Sequence, residues 1–239
     1  MRTRSINHQH YVVDLIDDNS NMAFIFCLRR KSDALRDALQ VFYTCQPHGI
    51  TFFALRIDNA GDLVSHEVQH YCADYGIHLP ACMDGVAERF FDTLLCMIRS
   101  IIEALHLPGF IWNYAVHHAC HLLNNCPKYP SRHTPSFKWS GTIPDIAHHC
   151  VCGCKVNTHV NKPLGTLEAR GEEIRYLRFS HEPHFYHLYR DRDSRVFTTN
   201  DVTFVESDIQ LPELAGLQDI SDDDKRVVDV HADRDDEVD

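Results

Sequence analysis

The sequence predicts an α/β core, a separate all-β module after it, and an acidic tail. Three observations carry that expectation. First, apolar residues recur at helical spacing along two stretches: Val86, Phe90, Phe91, Leu94, Leu95, Ile98, Ile101, Ile102 and Leu105, then Trp112, Ala115, Val116, Ala119, Leu122 and Leu123. Each set is broad enough to bury one face of a helix. Second, after a segment with four prolines between Cys126 and Pro144, the pattern switches to short period-two runs. Third, residues 206–239 hold thirteen acids and three bases and no aromatic residue, a composition that does not sustain a core.

The elements follow in order. Tyr11–Ile16 reads as a strand, Asp17-Asp18-Asn19-Ser20 as a turn and Met22–Leu28 as the returning strand. Ser32 is placed to cap a helix that buries Ala34, Leu35, Ala38, Leu39, Phe42 and Tyr43. Ile50–Ile57 is the next strand and leaves Asp58 at its end. Ser65 caps a short helix closed by Gly76, and 77–82 is extended. Asp84 caps the long helix, Gly85 allows the sharp turn into it, and Pro108-Gly109 stops it. Glu88 lies in its first turn, where the helix dipole favours a carboxylate; taken alone, it reads as a solvated acid. Beyond the connector, strands are expected at Lys155–Val160, Ile174–Phe179, Phe185–Tyr189, Arg195–Thr198 and Val202–Val205.

Composition narrows the function. The hydrophobic fraction of 44% is ample for a core, and no apolar run is long enough to span a bilayer, so no membrane partner is expected. Residues 1–8 lack the apolar segment of a signal peptide, and the ten cysteines are scattered through helical and strand patterns. Reduced thiols inside a cell are the expectation. The tail carries −10 of the net −11, leaving −1 for residues 1–205. A domain that grips DNA backbone usually shows a clear basic excess, so strong nucleic-acid binding is not expected.

Two clusters suggest metal. His117 and His121 share a helix face at i, i+4 with His118 beside them, but no general base of the H-E-x-x-H kind accompanies them, and surface histidines are the preferred reading. Cys150, Cys152 and Cys154 alternate, which in a strand would put three thiols on one face. Structural zinc usually spaces its cysteines more widely, so a core strand is preferred there.

Several motifs, taken together and in order, carry a resemblance. They are Leu55-Arg56-Ile57-Asp58-Asn59-Ala60-Gly61-Asp62, Gly85-Val86-Ala87-Glu88-Arg89, Phe110-Ile111-Trp112-Asn113-Tyr114-Ala115-Val116, Asn124-Asn125-Cys126-Pro127, and Thr134-Pro135 with Trp139. The sequence resembles the integrase catalytic core and following SH3-like domain of copia-type retrotransposon Pol polyproteins, from about Tyr11 to Glu206. The closing part is similar at Phe185–Arg190 and at Asn200-Asp201-Val202-Thr203-Phe204. The resemblance implies an RNase H-like, retroviral integrase-type core lacking its first strand at 1–125, a connector at 126–149, a small SH3-like β-barrel at 150–206 and a disordered acidic tail at 207–239.

What the resemblance implies chemically is a DNA integrase holding Mg²⁺ (or Mn²⁺) on three carboxylates, with DNA as partner and a nuclear location if that role persists. Hard oxygen ligands suit such a cation, which activates the attacking hydroxyl and stabilises the leaving oxygen. Asp58 and Glu88 match the second and third carboxylates, as catalytic and metal-binding residues, and Arg89 is the nucleic-acid-binding candidate. The family's first carboxylate precedes the hairpin, and no residue here matches it. Asp14, Asp17 and Asp18 belong to the next strand and its turn. Ala60 and Asp62 replace the family's Gly and Glu; Phe90, Phe91 and Asp92 replace polar or basic positions; and the segment before Glu88 is shortened. These departures imply a diverged, catalytically inactive integrase fragment with weak DNA and metal binding. The alternative is a noncatalytic interaction protein or a relic without DNA activity.

Overall fold

The computed structural model describes residues 3–30, 54, 66–78, 85–127, 132–147, 149–159, 171–180 and 185–205. The helix expected after Ser32, all of the strand before Asp58 except Ala54, Asp58 itself, the caps Ser65 and Asp84, and the acidic tail lie outside the described residues.

The hairpin forms as its sequence dictates. Strands β1 (Tyr11–Ile16) and β2 (Ala23–Leu28) pair antiparallel, with Asp14 opposite Ile25. Asp17 builds the turn: its Oδ2 accepts from the Ser20 N–H at 2.7 Å and the Ser20 hydroxyl at 2.6 Å. Asn21 takes the left-handed position at φ 58°, which asparagine tolerates. Helix α1 (His66–Asp74) leads to Gly76 at φ 65°, and His78 then makes a parallel bridge to Ala54.

Helix α2 (Gly85–Ala104) buries Phe90, Leu94 and Ile98, four residues apart, against the hairpin and helix α3 (Trp112–Asn125). Val86, expected on this face, is exposed. The helix also ends before Pro108-Gly109. His106 adopts φ 49°, its N–H bonds to the Glu103 carbonyl, and the Leu107 N–H reaches back to the Ile102 carbonyl at 2.9 Å. That pairing is a Schellman closure, which satisfies the last carbonyls before the proline is reached. Gly109–Ile111 then form a short 3-10 turn leading into α3.

The connector is not wholly irregular. Thr134 caps helix α4 (Pro135–Ser140) by accepting from the Phe137 N–H at 3.1 Å, Pro135 opens it, and Gly141 closes it at φ 72°. Its Trp139 is buried, edge-on to Phe24 of β2.

The C-terminal half of the described chain is a five-stranded antiparallel sheet: β3 (Lys155–His159), β4 (Gly171–Phe179), β5 (Tyr186–Arg190), β6 (Arg195–Thr199) and β7 (Val202–Val205), in the order β6-β5-β4-β3-β7. The bounds fall close to those read from the sequence.

The cysteine strand is a correction. Cys152-Gly153 form a turn with Gly153 at φ 85°, and β3 begins only at Lys155. The turn breaks the alternation. Cys152 packs with Leu107, Ile111, Leu177 and Tyr189, whereas Cys154 joins Val156, Ile174, Tyr176 and Leu188. A Cβ on Gly153 would approach Leu105 Cδ1 to 2.8 Å, so the close passage of backbone past α2 requires glycine. Arg175 adds a bond from its guanidinium to the Leu105 carbonyl at 2.8 Å. Helices and sheet therefore share an apolar seam.

Candidate functional site

Two sets of polar residues are candidates. The first is the start of α2. Glu88 and Arg89 are both exposed there, in the first turn of the longest described helix. Asp58 lies outside the described residues, so the expected pairing of Asp58 with Glu88 is not on view. Asp14 is half-buried on β1, and by strand alternation it shares the face of Val12 and Ile16, which pack on the helical core. A solvent-facing carboxylate is a suitable hard donor for Mg²⁺, and Glu88 fits that requirement. Among the described residues no group of three His, Cys, Asp or Glu side chains could hold a metal ion.

The second set lines a cleft of about 420 Å³ between β2, α3 and β4. Here the expectation of surface histidines fails for one of the three. His121 is exposed and His117 half-buried, but His118 is buried. Burial pushes the His118 imidazole down to about 4, and electrostatic interaction with neighbouring His121, His149 and Arg178 pushes in the same direction. It is therefore neutral at physiological pH. Its ring meets Tyr176 edge-on, with centroids 6.1 Å apart.

His121 Nε2 lies 2.6 Å from His149 Nε2 and 2.7 Å from the Asn125 amide nitrogen. Only one imidazole of such a pair can donate while the other accepts. Asn124, one turn from Cys120, secures the hairpin: its Oδ1 accepts from the Ala23 N–H at 2.9 Å and its Nδ2 donates to the Ala23 carbonyl at 2.7 Å.

From β4 come Tyr176 and Arg178. The β4–β5 register shifts between these two residues, and Leu177 turns instead into the seam with the helices. The Tyr176 hydroxyl and the Arg178 Nε–H are both buried without a hydrogen-bond partner. Burial holds the Arg178 guanidinium below its ordinary range and raises the Tyr176 hydroxyl above its own. Sequence reading missed this group. Its only trace was the strand pattern over Ile174–Phe179, which says nothing of which α3 residue it will meet.

With the geometry in view, the relatives can be placed. The retrovirus-related Pol polyprotein from transposon TNT 1-94 of Nicotiana tabacum is 29% identical over 220 residues, covering 88% of this chain. The chain resembles a retrotransposon Pol polyprotein. It spans 16% of that relative's length. No family model matches it. Similar solved structures include the HTLV-2 integrase catalytic core domain in complex with magnesium, in trimeric form, at 20% identity and TM-score 0.43, covering 54% of this chain and 92% of that one. Another is the simian T-cell lymphotropic virus intasome in complex with PP2A regulatory subunit B56 gamma, at 16% identity and TM-score 0.46, covering 85% of this chain and 75% of that one.

Proposed function

We propose that this chain is an integrase-derived segment of a retrotransposon Pol polyprotein, of the copia type, with an RNase H-like core followed by an SH3-like module. The observation that carries this reading is the similarity to the tobacco transposon polyprotein across 220 residues, nearly the whole chain. The exposed place of Glu88 at the start of α2 supports it. On this reading Asp58 and Glu88 would hold Mg²⁺ or Mn²⁺, and Arg89 would face a DNA phosphate. The bound cation would supply charge stabilisation at the reacting phosphate.

The 239 residues as they stand are proposed not to join DNA. They supply two matched carboxylates, and residues 1–205 carry a net charge of only −1. Two-metal chemistry needs enough carboxylate charge to hold both ions against their repulsion. A near-neutral surface gives little of the counterion release that drives DNA binding. The test is a strand-transfer assay on the purified chain with Mn²⁺, run beside Asp58→Asn and Glu88→Gln. No joining by any of the three is expected. Metal-dependent joining lost in either variant would refute inactivity and point to Asp14 as the completing carboxylate.

A further inference from the structure

We propose that the cleft between β2, α3 and β4 binds a phosphate group, with the Arg178 guanidinium as its charged partner and the Tyr176 hydroxyl as a neutral donor. This does not rest on the integrase reading, because neither Glu88 nor Arg89 lines the cleft.

Three observations converge on an anion. Arg178 is half-buried, and an Nε–H shut off from water normally finds an acceptor, since an unsatisfied buried donor is costly. Arg178 instead keeps its Nε–H buried without an acceptor, and among the described residues no carboxylate lines the cleft. A second donor, the Tyr176 hydroxyl two residues away on the same strand, is likewise buried and unsatisfied. Native proteins leave few such groups, and two orphan donors in one cavity match a ligand that brings acceptors. The cavity, at about 420 Å³, falls in the size range of small-ligand sites.

Phosphate suits these groups better than a carboxylate. It presents acceptor oxygens in several directions, whereas a planar carboxylate is filled by one guanidinium fork. An imidazole lining the cleft extends the argument. His118 is neutral and keeps one ring N–H to donate. Apolar lining from Ile25 and Phe179 leaves room for an organic body attached to the phosphate.

The test uses the whole chain at low ionic strength. It is titrated calorimetrically with inorganic phosphate, with a nucleoside 5′-monophosphate, and with a short single-stranded DNA whose ends lack phosphate. The Arg178 Nε–H resonance is followed by NMR. Saturable binding of at least one probe is expected, with a shift of that resonance. Arg178→Met should lower the affinity at least about tenfold, the scale of one charge-assisted hydrogen bond. Which probe binds identifies the source: free phosphate, a monoester, or the DNA backbone. Tyr176→Phe should weaken binding by less.

Both variants remove an unsatisfied buried group, so neither should lower the melting temperature of the free protein, which guards against a folding artefact. The proposal fails if no probe saturates up to about 10 mM, far weaker than ordinary ligand sites. It fails equally if Arg178→Met binds as tightly as the parent, or if that variant is destabilised without ligand, since Arg178 would then be packing material.

Discussion

The first turn of α2 and the cleft beneath β4 are built on opposite principles. At the first, Glu88 and Arg89 stand in water and little depends on them energetically. In the cleft, His118 and Tyr176 are buried and Arg178 is half-buried, and Tyr176 and Arg178 keep buried donors without acceptors. A motif can mark the first kind of site because its residues are held only by local helix geometry. The second kind depends on three elements meeting, so its residue types look ordinary in the sequence. Exposure keeps a site cheap to alter, whereas burial ties polar groups to the stability of the fold.

The apolar layer behind both regions sets the scale for testing this contrast. Leu94 is fully buried between the hairpin and α3. Leu94→Ala should lower unfolding free energy by about 2–5 kcal/mol, as core truncations that leave a cavity do. Urea denaturation measures it, and a change below about 1 kcal/mol would mean that the hairpin does not pack on α2 as described.

Within the cleft, His118 supplies the next largest effect. Its folded value near 4 lies below the ordinary 6.5, so the unfolded chain binds its proton first as pH falls. Stability is therefore fully present above about pH 6.5 and is lost as pH drops toward 4, by up to roughly 3 kcal/mol. Denaturation midpoints between pH 7 and 4 should follow that slope, and His118→Phe should flatten it. An unchanged slope in the variant would place His118 in water, on the side of Glu88.

Asn124 sharpens the comparison further, because it is a motif residue that turned out to be buried. Its two bonds to Ala23 tie the end of α3 to the start of β2. Asn124→Ala leaves the Ala23 N–H without its acceptor and the Ala23 carbonyl with only the weak Cys120 thiol donor, so a loss of about 1–3 kcal/mol is expected. Hydrogen exchange at the Ala23 amide should speed up with it. Protection there that survives the substitution would show the bond to be dispensable.

Much of the fold was legible because periodicity is a local property. Tyr11–Ile16, the five C-terminal strands and both long helices fall within a few residues of their expected bounds. The misses are places where local rules compete. His106 closes α2 in a left-handed turn before the proline can act, and Gly153 turns a cysteine run that alternation alone would make a strand. Thr134, Pro135 and Gly141 carry the signals of a short helix inside what reads as connector. At the candidate sites Glu88 was legible by motif. Arg178 and Tyr176 were not, because what marks them is the absence of an acceptor in three dimensions.

The smallest expected effect belongs to Glu88, and its smallness is informative. Its carboxylate is exposed, in the first turn of a helix whose core contacts begin at Phe90. Glu88→Gln keeps the side chain's shape and removes only a charge that interacts with the helix dipole through water, so stability should change by less than about 1 kcal/mol. Any larger loss would mean that Glu88 has a structural partner, and the contrast with the cleft would collapse. Mn²⁺ titration of the same variant then separates stability from chemistry. If Asp58 and Glu88 share a cation, weak binding by the parent chain should disappear in Glu88→Gln while the unfolding curve stays in place. Binding that survives the substitution would remove Glu88 from the metal site and leave it as an ordinary solvated first-turn acid.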